Sequence, residues 1–275
     1  MDYEISPPSA ASMLESLRAY GYSLNSAVAD LIDNSITANA KNVWITVRWK
    51  GERSWISIRD DGDGMTEDQL SRAMIAGSQS PRDRREPHDL GRFGLGLKTA
   101  SLSLARALTV VSKKEKNSLA IRRWDLDYIA EENTDQWRLL KSEREGSREK
   151  LKDVENQASG TVVLLENLDN LCAGTVEKSP AHRDEFYHKI DSLSDHLGMI
   201  FHRFLTPPRR LKIFINGQSE AQLVKPWDPF FVKHKATDPK PEIKISFGDT
   251  VTDVQGFILP HKDMLTQDEY EEAGG

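Results

Sequence analysis

The chain has 275 residues, of which 38% are hydrophobic and 29% are charged. This balance is typical of a folded globular protein with one large or two smaller domains, and it excludes a disordered chain. The net charge of −6 excludes a chain that is basic throughout. Cys172 is the only cysteine, so an intrachain disulfide is excluded and a reducing, cytoplasmic setting is expected. We expect no membrane segment or signal peptide, because no apolar run approaches about 20 residues.

Two helices are predicted at the N-terminal end. Apolar residues at helical spacing predict the first over residues 9–20. The second is predicted over residues 23–40, with Ser23 as its N-cap. Asp30 and Asn34 are four positions apart on this second helix, so their polar groups are expected to project from one face.

Two strands and an acidic turn are predicted next. Alternating apolar residues predict strands over residues 43–47 and 54–58, with a turn at residues 50–53. The second strand leads directly into residues 60–65, which read Asp-Asp-Gly-Asp-Gly-Met. A turn at a strand end is a common ligand position in layered α/β structures.

A second glycine-rich segment, residues 91–99, reads Gly-Arg-Phe-Gly-Leu-Gly-Leu-Lys-Thr. It follows a helix predicted over residues 66–76, with Thr66 as its N-cap, and a polar segment, residues 77–90, predicted to be a mobile loop. A further helix is predicted over residues 99–107. Glycines allow close approach of backbone N–H groups to an anion, a helix N-terminus favours negative charge, and Lys98 adds a cation. The segment therefore predicts a phosphate site.

The rest of the chain is predicted from the same periodicities. Strands are expected over residues 108–113, 119–124, 161–166 and 211–215, and a helix over residues 184–204. The charged segment 141–153 is expected to be a solvated hairpin tip or a surface helix. A local basic patch has either that same interpretation or a contact with DNA or a partner; it consists of Arg203, Arg209, Arg210 and Lys212. Past residue 220 the composition changes, and strands over residues 243–247 and 254–259 predict the start of a second unit.

Other phosphate and metal motifs do not fit. A P-loop would need a Lys directly after its second Gly, but Leu97 stands between Gly96 and Lys98. The dinucleotide fingerprint would need a third Gly, which is missing. A calcium loop that starts at Asp61 would need a Glu where Arg72 stands. No His or Cys spacing predicts a zinc site.

Four motifs occur in an order that resembles the GHKL ATPases, which include DNA gyrase, the ninety-kilodalton heat-shock chaperone, histidine kinases and MutL. The motifs are the helical Asn34, the turn at residues 60–64, the loop at residues 91–98 and Gly160-Thr161. The loop with its Lys98 is similar to that of the MORC-like and MutL-like branch.

This resemblance implies an α+β protein with the Bergerat fold, a two-layer sandwich of helices on a mixed, mostly antiparallel sheet. It implies an ATPase domain over residues 1–220, with a lid at about 77–97. The beginning of a transducer-like domain would follow over residues 221–275.

The resemblance also implies the ligands, ATP and Mg²⁺, and the residues that bind them. Asn34 would coordinate Mg²⁺, Asp60 would accept a hydrogen bond from the adenine amino group, and Met65 would pack on the base. Thr161 would belong to the hydroxyl and water network around Asp60. The remaining nucleotide contacts would be Gly62 and Gly64 in the turn and Gly91, Phe93, Gly94, Leu95, Gly96, Leu97 and Lys98 in the loop.

Asp30 stands where the family usually has its general base, a Glu. An Asp is one methylene shorter, so its carboxylate lies about 1.5 Å further from the attacking water. A base must lie within about 3 Å of its target or act through one water. Either the helix sits closer or hydrolysis is slow. Asp33 is a second candidate for the base.

The activity implied is Mg²⁺-dependent ATP binding and hydrolysis that drives lid closure and N-terminal homodimerisation. Such a protein is a nucleotide-gated clamp, for which DNA or another protein is a compatible partner. Two alternatives stay open. One is a module that senses ATP without turnover. The other is a histidine-kinase catalytic domain, which would need a phospho-acceptor His on a dimerising helix; no such module precedes residue 10.

Overall fold

The computed structural model describes residues 8–19, 21–75, 96–131, 136–248 and 250–272. Its helices are α1 (Ala10–Arg18), α2 (Leu24–Thr37), α3 (Glu67–Met74), α4 (Gly96–Leu104), α5 (Leu126–Glu131), α6 (Arg148–Leu151), α7 (Asp169–Cys172), α8 (Pro180–Ile200), α9 (His202–Leu205) and α10 (Gln267–Glu272). Its strands are β1 (Asn42–Arg48), β2 (Trp55–Asp60), β3 (Ala107–Lys113), β4 (Ala120–Asp125), β5 (Gly160–Glu166), β6 (Lys212–Ile215), β7 (Asp238–Pro239), β8 (Ile243–Phe247), β9 (Thr250–Val254) and β10 (Phe257–Ile258). Short 3-10 turns cover Lys152–Asn156, Glu220–Gln222 and Lys262–Met264.

Six strands form one sheet in the order β4-β3-β5-β2-β1-β6. Every neighbouring pair is antiparallel except β1 and β6, which run parallel. The alternation that predicted β1 buries Val43, Ile45 and Val47 on the face that the main helices cover. The α+β class and the mixed, mostly antiparallel sheet are confirmed.

The opposite face of the sheet is covered in part by α6 and the turn that follows it. Leu151 and Val154 pack there against apolar residues of β3 and β5. Most of residues 141–153 lie at the surface and include the predicted helix as α6, while Leu151 is 3% exposed and is a buried exception. Leu151 is the one apolar residue in this charged segment, so the sequence pattern did not indicate that it packs against the sheet.

Side-chain caps set the beginnings of two helices next to the site. The Ser23 hydroxyl accepts a hydrogen bond from the Ser26 N–H at 3.1 Å, which confirms Ser23 as the N-cap of α2. Thr66 and Gln69 form a capping box at the start of α3. Both caps satisfy N–H groups that have no partner within their own helix.

Three predicted elements have the wrong bounds. The continuous helix predicted to residue 204 breaks after α8, because the Gly198 carbonyl accepts its hydrogen bond from the Trp227 N–H instead of continuing the helical ladder. The helix predicted over residues 99–107 is α4, which begins at Gly96 and ends before β3. The strand predicted over residues 254–259 is wrong, because β9 ends at Val254 and β10 pairs with β7.

The segment after residue 220 carries a hairpin, β8 and β9, whose strands pair only with each other among the described residues. Ile243, Phe247 and Val254 of this hairpin are 55%, 68% and 39% exposed. The division of the chain at about residue 220 stays a prediction. Within the described ranges, no helix combines the length and the apolar character needed to cross a membrane.

Candidate functional site

Asp60 is a buried carboxylate at the end of β2, and only 6% of the residue is exposed. Its Oδ1 accepts hydrogen bonds from the backbone N–H groups of Gly62 at 2.9 Å and Thr161 at 3.2 Å. Its Oδ2 accepts one from the Ser35 hydroxyl at 3.0 Å. Burial raises the pKa of Asp60, and the hydrogen bonds oppose that rise because they stabilise the carboxylate. A carboxylate accepts about four hydrogen bonds, so these three described donors leave one position for a ligand.

The acidic turn after Asp60 is held against the C-terminal end of α2. The Asp63 N–H donates to the Ala38 carbonyl at 2.8 Å. The Asp61 carboxylate accepts a hydrogen bond from the Asn42 N–H at 2.8 Å. These contacts fix the turn relative to the helix that carries Asp30 and Asn34, largely through backbone groups.

Residues 62 and 64 must be glycine, because backbone atoms of other segments lie close to both positions. A Cβ added to Gly62 would lie 2.6 Å from the Ala38 carbonyl oxygen, and one added to Gly64 would lie 1.9 Å from that of Lys113. Gly64 also has a φ of +65°, which side-chain-bearing residues rarely adopt. The two glycines therefore shape the turn, and their contact with a base stays a prediction.

Thr161 contacts Asp60 through its backbone, while its hydroxyl bonds elsewhere. The Thr161 hydroxyl lies 2.8 Å from the Ser112 hydroxyl. The Ser112 oxygen also accepts a hydrogen bond from the Met65 N–H at 2.8 Å. Ser112 therefore joins the turn, β3 and β5 at one point. The sequence did not reveal it, because nothing local marks a strand serine as a partner of a turn.

The polar face of α2 carries the predicted base and the predicted metal ligand. The Asn34 amide donates to the Asp30 backbone carbonyl at 3.1 Å, and Asn34 is exposed. This hydrogen bond uses the amide nitrogen and leaves the amide oxygen as the group that can bind a cation. The Tyr22 hydroxyl donates to Asp30 Oδ2 at 2.8 Å. Tyr22 is a second residue that the sequence did not reveal.

Asp33 lies on the same helix and is partly buried. Burial, and next the negative charge of Asp30, raise the pKa of Asp33 to about 6. The Asp33 carboxyl therefore keeps its proton to a higher pH than an ordinary aspartate does.

The end of the glycine-rich segment forms the start of α4 and lies against α2. A Cβ added to Gly96 would be 3.9 Å from Asp30 Oδ2. Leu97 packs against the main core. Lys98 is 1% exposed, its amine donates to the Ala73 carbonyl at 2.8 Å, and burial lowers its pKa to about 8. The predicted contacts Gly91, Phe93, Gly94 and Leu95, and most of the predicted lid, lie outside the described residues.

The structure thus brings the predicted groups to two positions along α2. Near its C-terminal end, Ser35 contacts Asp60; toward its middle, Asp30 lies next to Gly96. The described residues include no cluster of three or more His, Cys, Asp or Glu side chains that could hold a metal by itself. The Asn34 amide oxygen has the chemistry of a Mg²⁺ ligand, and its role as a metal ligand stays a prediction.

Comparison with known proteins gives a matching family model over residues 22–161, described as histidine kinase-, DNA gyrase B- and HSP90-like ATPase. Over 90 residues the chain is 32% identical to ATPase morc-1 of Caenorhabditis elegans, covering 33% of this chain and 10% of that protein. MORC family CW-type zinc finger protein 3 of Mus musculus is also 32% identical over 90 residues, covering 32% of this chain and 10% of that protein. DNA mismatch repair protein MutL of Clostridium beijerinckii is 35% identical over 97 residues, covering 34% of this chain and 14% of that protein. The chain thus matches only about a tenth of the length of these relatives.

Proposed function

We propose, from the premise that this chain belongs to the histidine kinase-, DNA gyrase B- and HSP90-like ATPase family, that it is a Mg²⁺-dependent ATPase acting as a nucleotide-gated clamp. The family binds and hydrolyses ATP in general. One observation carries the proposal for this chain. Helix α2 contacts the buried Asp60 through Ser35 and the glycine-rich start of α4 through Asp30, so one nucleotide could span from the first to the second.

Asp60 recognises the purine in this proposal. Its remaining acceptor position receives the exocyclic amino group of adenine, while Ser35, Gly62 and Thr161 hold the carboxylate in place. Met65 is partly buried next to the turn and packs on the base. A buried acceptor of this kind discriminates against a base that lacks the donor, because the acceptor would then stay unsatisfied.

The start of α4 binds the phosphates in this proposal. Its first backbone N–H groups lack partners within the helix, and the helix dipole favours an anion there. Gly96 allows its backbone to approach the phosphates closely, and Lys98 supplies a cation. Asn34 holds the Mg²⁺ ion, which neutralises charge on the phosphate oxygens. Closure of the segment at about 77–97 over the nucleotide excludes bulk water.

Asp30 is the general base that accepts a proton from the attacking water. Its Oδ2 is held by Tyr22, and among the described residues its Oδ1 has no hydrogen-bond partner. One oxygen is therefore fixed and the other can face the water. The shorter Asp makes this fixed position decisive for the rate.

Homodimerisation through the N-terminal segment and action on DNA complete the clamp. The relatives include a protein named for DNA mismatch repair. The basic patch of Arg203, Arg209, Arg210 and Lys212 is exposed, and none of its members forms an ion pair with a described acidic residue. An unpaired cationic patch on an acidic chain fits a phosphate backbone.

The ATPase assignment is tested by phosphate release and by binding of a non-hydrolysable ATP analogue. Asp30→Asn should abolish release but keep binding, and Asn34→Ala should abolish the Mg²⁺-dependent part of binding. Asp195→Asn, an exposed change on α8, is the matched control. Normal Mg²⁺-dependent binding by Asn34→Ala would refute the assignment of the metal ligand.

The same assay separates the alternatives. Binding without release in the wild type would indicate an ATP-sensing module. Radiolabel from the γ-phosphate that stays on the protein would indicate a kinase.

The DNA assignment is tested by the salt dependence of binding. Replacing Arg209 and Arg210 together by Ala should lower the slope of log affinity against log salt by about 2. The same double replacement at the exposed Lys116 and Lys178 should leave the slope unchanged. Equal slopes for both double variants would contradict DNA contact at the patch.

A further inference from the structure

Tyr22 lies just before α2, and its side chain reaches along the helix to Asp30. The distance from its hydroxyl oxygen to Asp30 Oδ2 is 2.8 Å. Its ring is partly buried and packs against the main core. A rigid, packed phenol is a good support for a carboxylate, because its position is set by the core and not by solvent.

The oxygen of Asp30 that Tyr22 holds also lies next to the start of α4. A Cβ added to Gly96 would be 3.9 Å from Asp30 Oδ2. Tyr22 therefore supports the side of the Asp30 carboxylate that faces the helix after the glycine-rich segment.

The direction of the hydrogen bond between Tyr22 and Asp30 is defined. A neutral phenol has one proton, which it donates to Asp30 Oδ2. Burial, and next the hydrogen bond to Asp30, raise the pKa of Tyr22 above its usual value of 10.0, so the phenol stays protonated near neutral pH. At that pH Tyr22 is a donor to Asp30 and cannot itself remove a proton from water.

We propose that Tyr22 is a positioning residue for the hydrolytic reaction. It fixes Oδ2 of Asp30 so that Oδ1 faces the attacking water. The proposal rests on the function proposed above, in which Asp30 is the base. No bond to substrate is made by Tyr22 itself, so its effect is confined to the chemical step.

The test compares steady-state ATP hydrolysis by Tyr22→Phe and by the wild type. Phe keeps the packed ring and removes only the hydroxyl, so we expect kcat to fall about tenfold or more, with KM for ATP and the melting temperature nearly unchanged. Tyr187→Phe is the matched control, since it removes a hydroxyl from a partly buried Tyr on α8; its kcat should equal that of the wild type.

One further variant tests the route of the effect. Tyr22→Phe combined with Asp30→Asn should hydrolyse ATP no more slowly than Asp30→Asn alone, because Tyr22 acts through Asp30.

The outcomes separate this proposal from the one on which it rests. If Asp30→Asn hydrolyses ATP as fast as the wild type, Asp30 is not the base and both proposals fail. If Asp30→Asn is inactive while Tyr22→Phe stays within twofold of the wild type, only the role of Tyr22 fails. A rise in KM or a lower melting temperature that accounts for the whole loss in Tyr22→Phe would also overturn it, because it would indicate a structural role.

Discussion

The purine end and the phosphate end of the proposed site are built in different ways. At the purine end, Asp60 and its turn are buried and tied by backbone hydrogen bonds, and the glycines leave no room for a Cβ. At the phosphate end, Asp30 and Asn34 depend on side-chain hydrogen bonds, and Asp33 and Lys98 have shifted pKa values. In the proposed function, shape would determine recognition of the base, whereas charge would determine the response to phosphate. The two ends should therefore respond differently to mutation and to pH.

The largest effect is expected from Gly64→Ala. The added Cβ would lie 1.9 Å from the Lys113 carbonyl oxygen at a φ of +65°, so the free energy of unfolding should fall by about 3 kcal/mol or more. Gly21→Ala is the matched control, because Gly21 has a φ of +70° and nothing within 4 Å of an added Cβ. It should cost only about 1 kcal/mol of backbone strain.

Chemical denaturation at one pH measures both variants. Equal losses for Gly64→Ala and Gly21→Ala would contradict the view that close packing shapes the purine end.

An intermediate, pH-dependent effect is expected from Lys98→Met. The pKa of Lys98 is about 8 in the folded protein and 10.5 in its usual environment. Between these values the unfolded chain binds more protons, so the free energy of unfolding of the wild type rises with pH. Relative to Lys98→Met, it should rise by about 2 kcal/mol from pH 8 to pH 10. A difference that stays constant over this range would contradict a buried charge at this position.

The smallest effect, with the opposite dependence on pH, is expected from Asp33→Asn. The pKa of Asp33 is raised from 3.8 to about 6, so the folded protein binds protons more readily between these values. The stability of the wild type therefore falls as pH rises through this window, and the full cost is present above it. Above pH 7, Asp33→Asn should be more stable than the wild type by about 1 kcal/mol, since solvent screens this half-buried group.

Thermal denaturation of Asp33→Asn and the wild type at pH 4 and pH 7.5 measures this difference. An advantage of the variant that is as large at pH 4 as at pH 7.5 would show that the charge of Asp33 is not its cause.

Local sequence patterns were enough to predict the sheet and the turn. The period-2 alternation in β1 and β2, the N-caps Ser23 and Thr66, and the acidic glycine turn depend on residues that are close together in the chain. Each of these was confirmed within a few residues. The order of the four motifs then predicted the family and the Bergerat fold.

Contacts between distant segments were not predictable in this way. Ser112 reaches the turn from another strand, and Trp227 ends the helical ladder at Gly198. None of these residues stands in a recognisable motif, because each acts through a partner that only the tertiary fold brings near. The same reason explains why the buried environment of Lys98 could not be read from its place in the loop.

The hairpin of β8 and β9 has a practical consequence for studies of assembly. The two-stranded ribbon exposes the apolar side chains of Ile243, Phe247 and Val254. Such a ribbon also has strand edges with unpaired backbone groups, to which a second molecule can bind. Association of protein molecules through this ribbon would increase with protein concentration whether or not nucleotide is present. Measurements of ATP-driven pairing therefore need a dilution series without nucleotide as their baseline, so that contact through this ribbon is not counted as closure of the clamp.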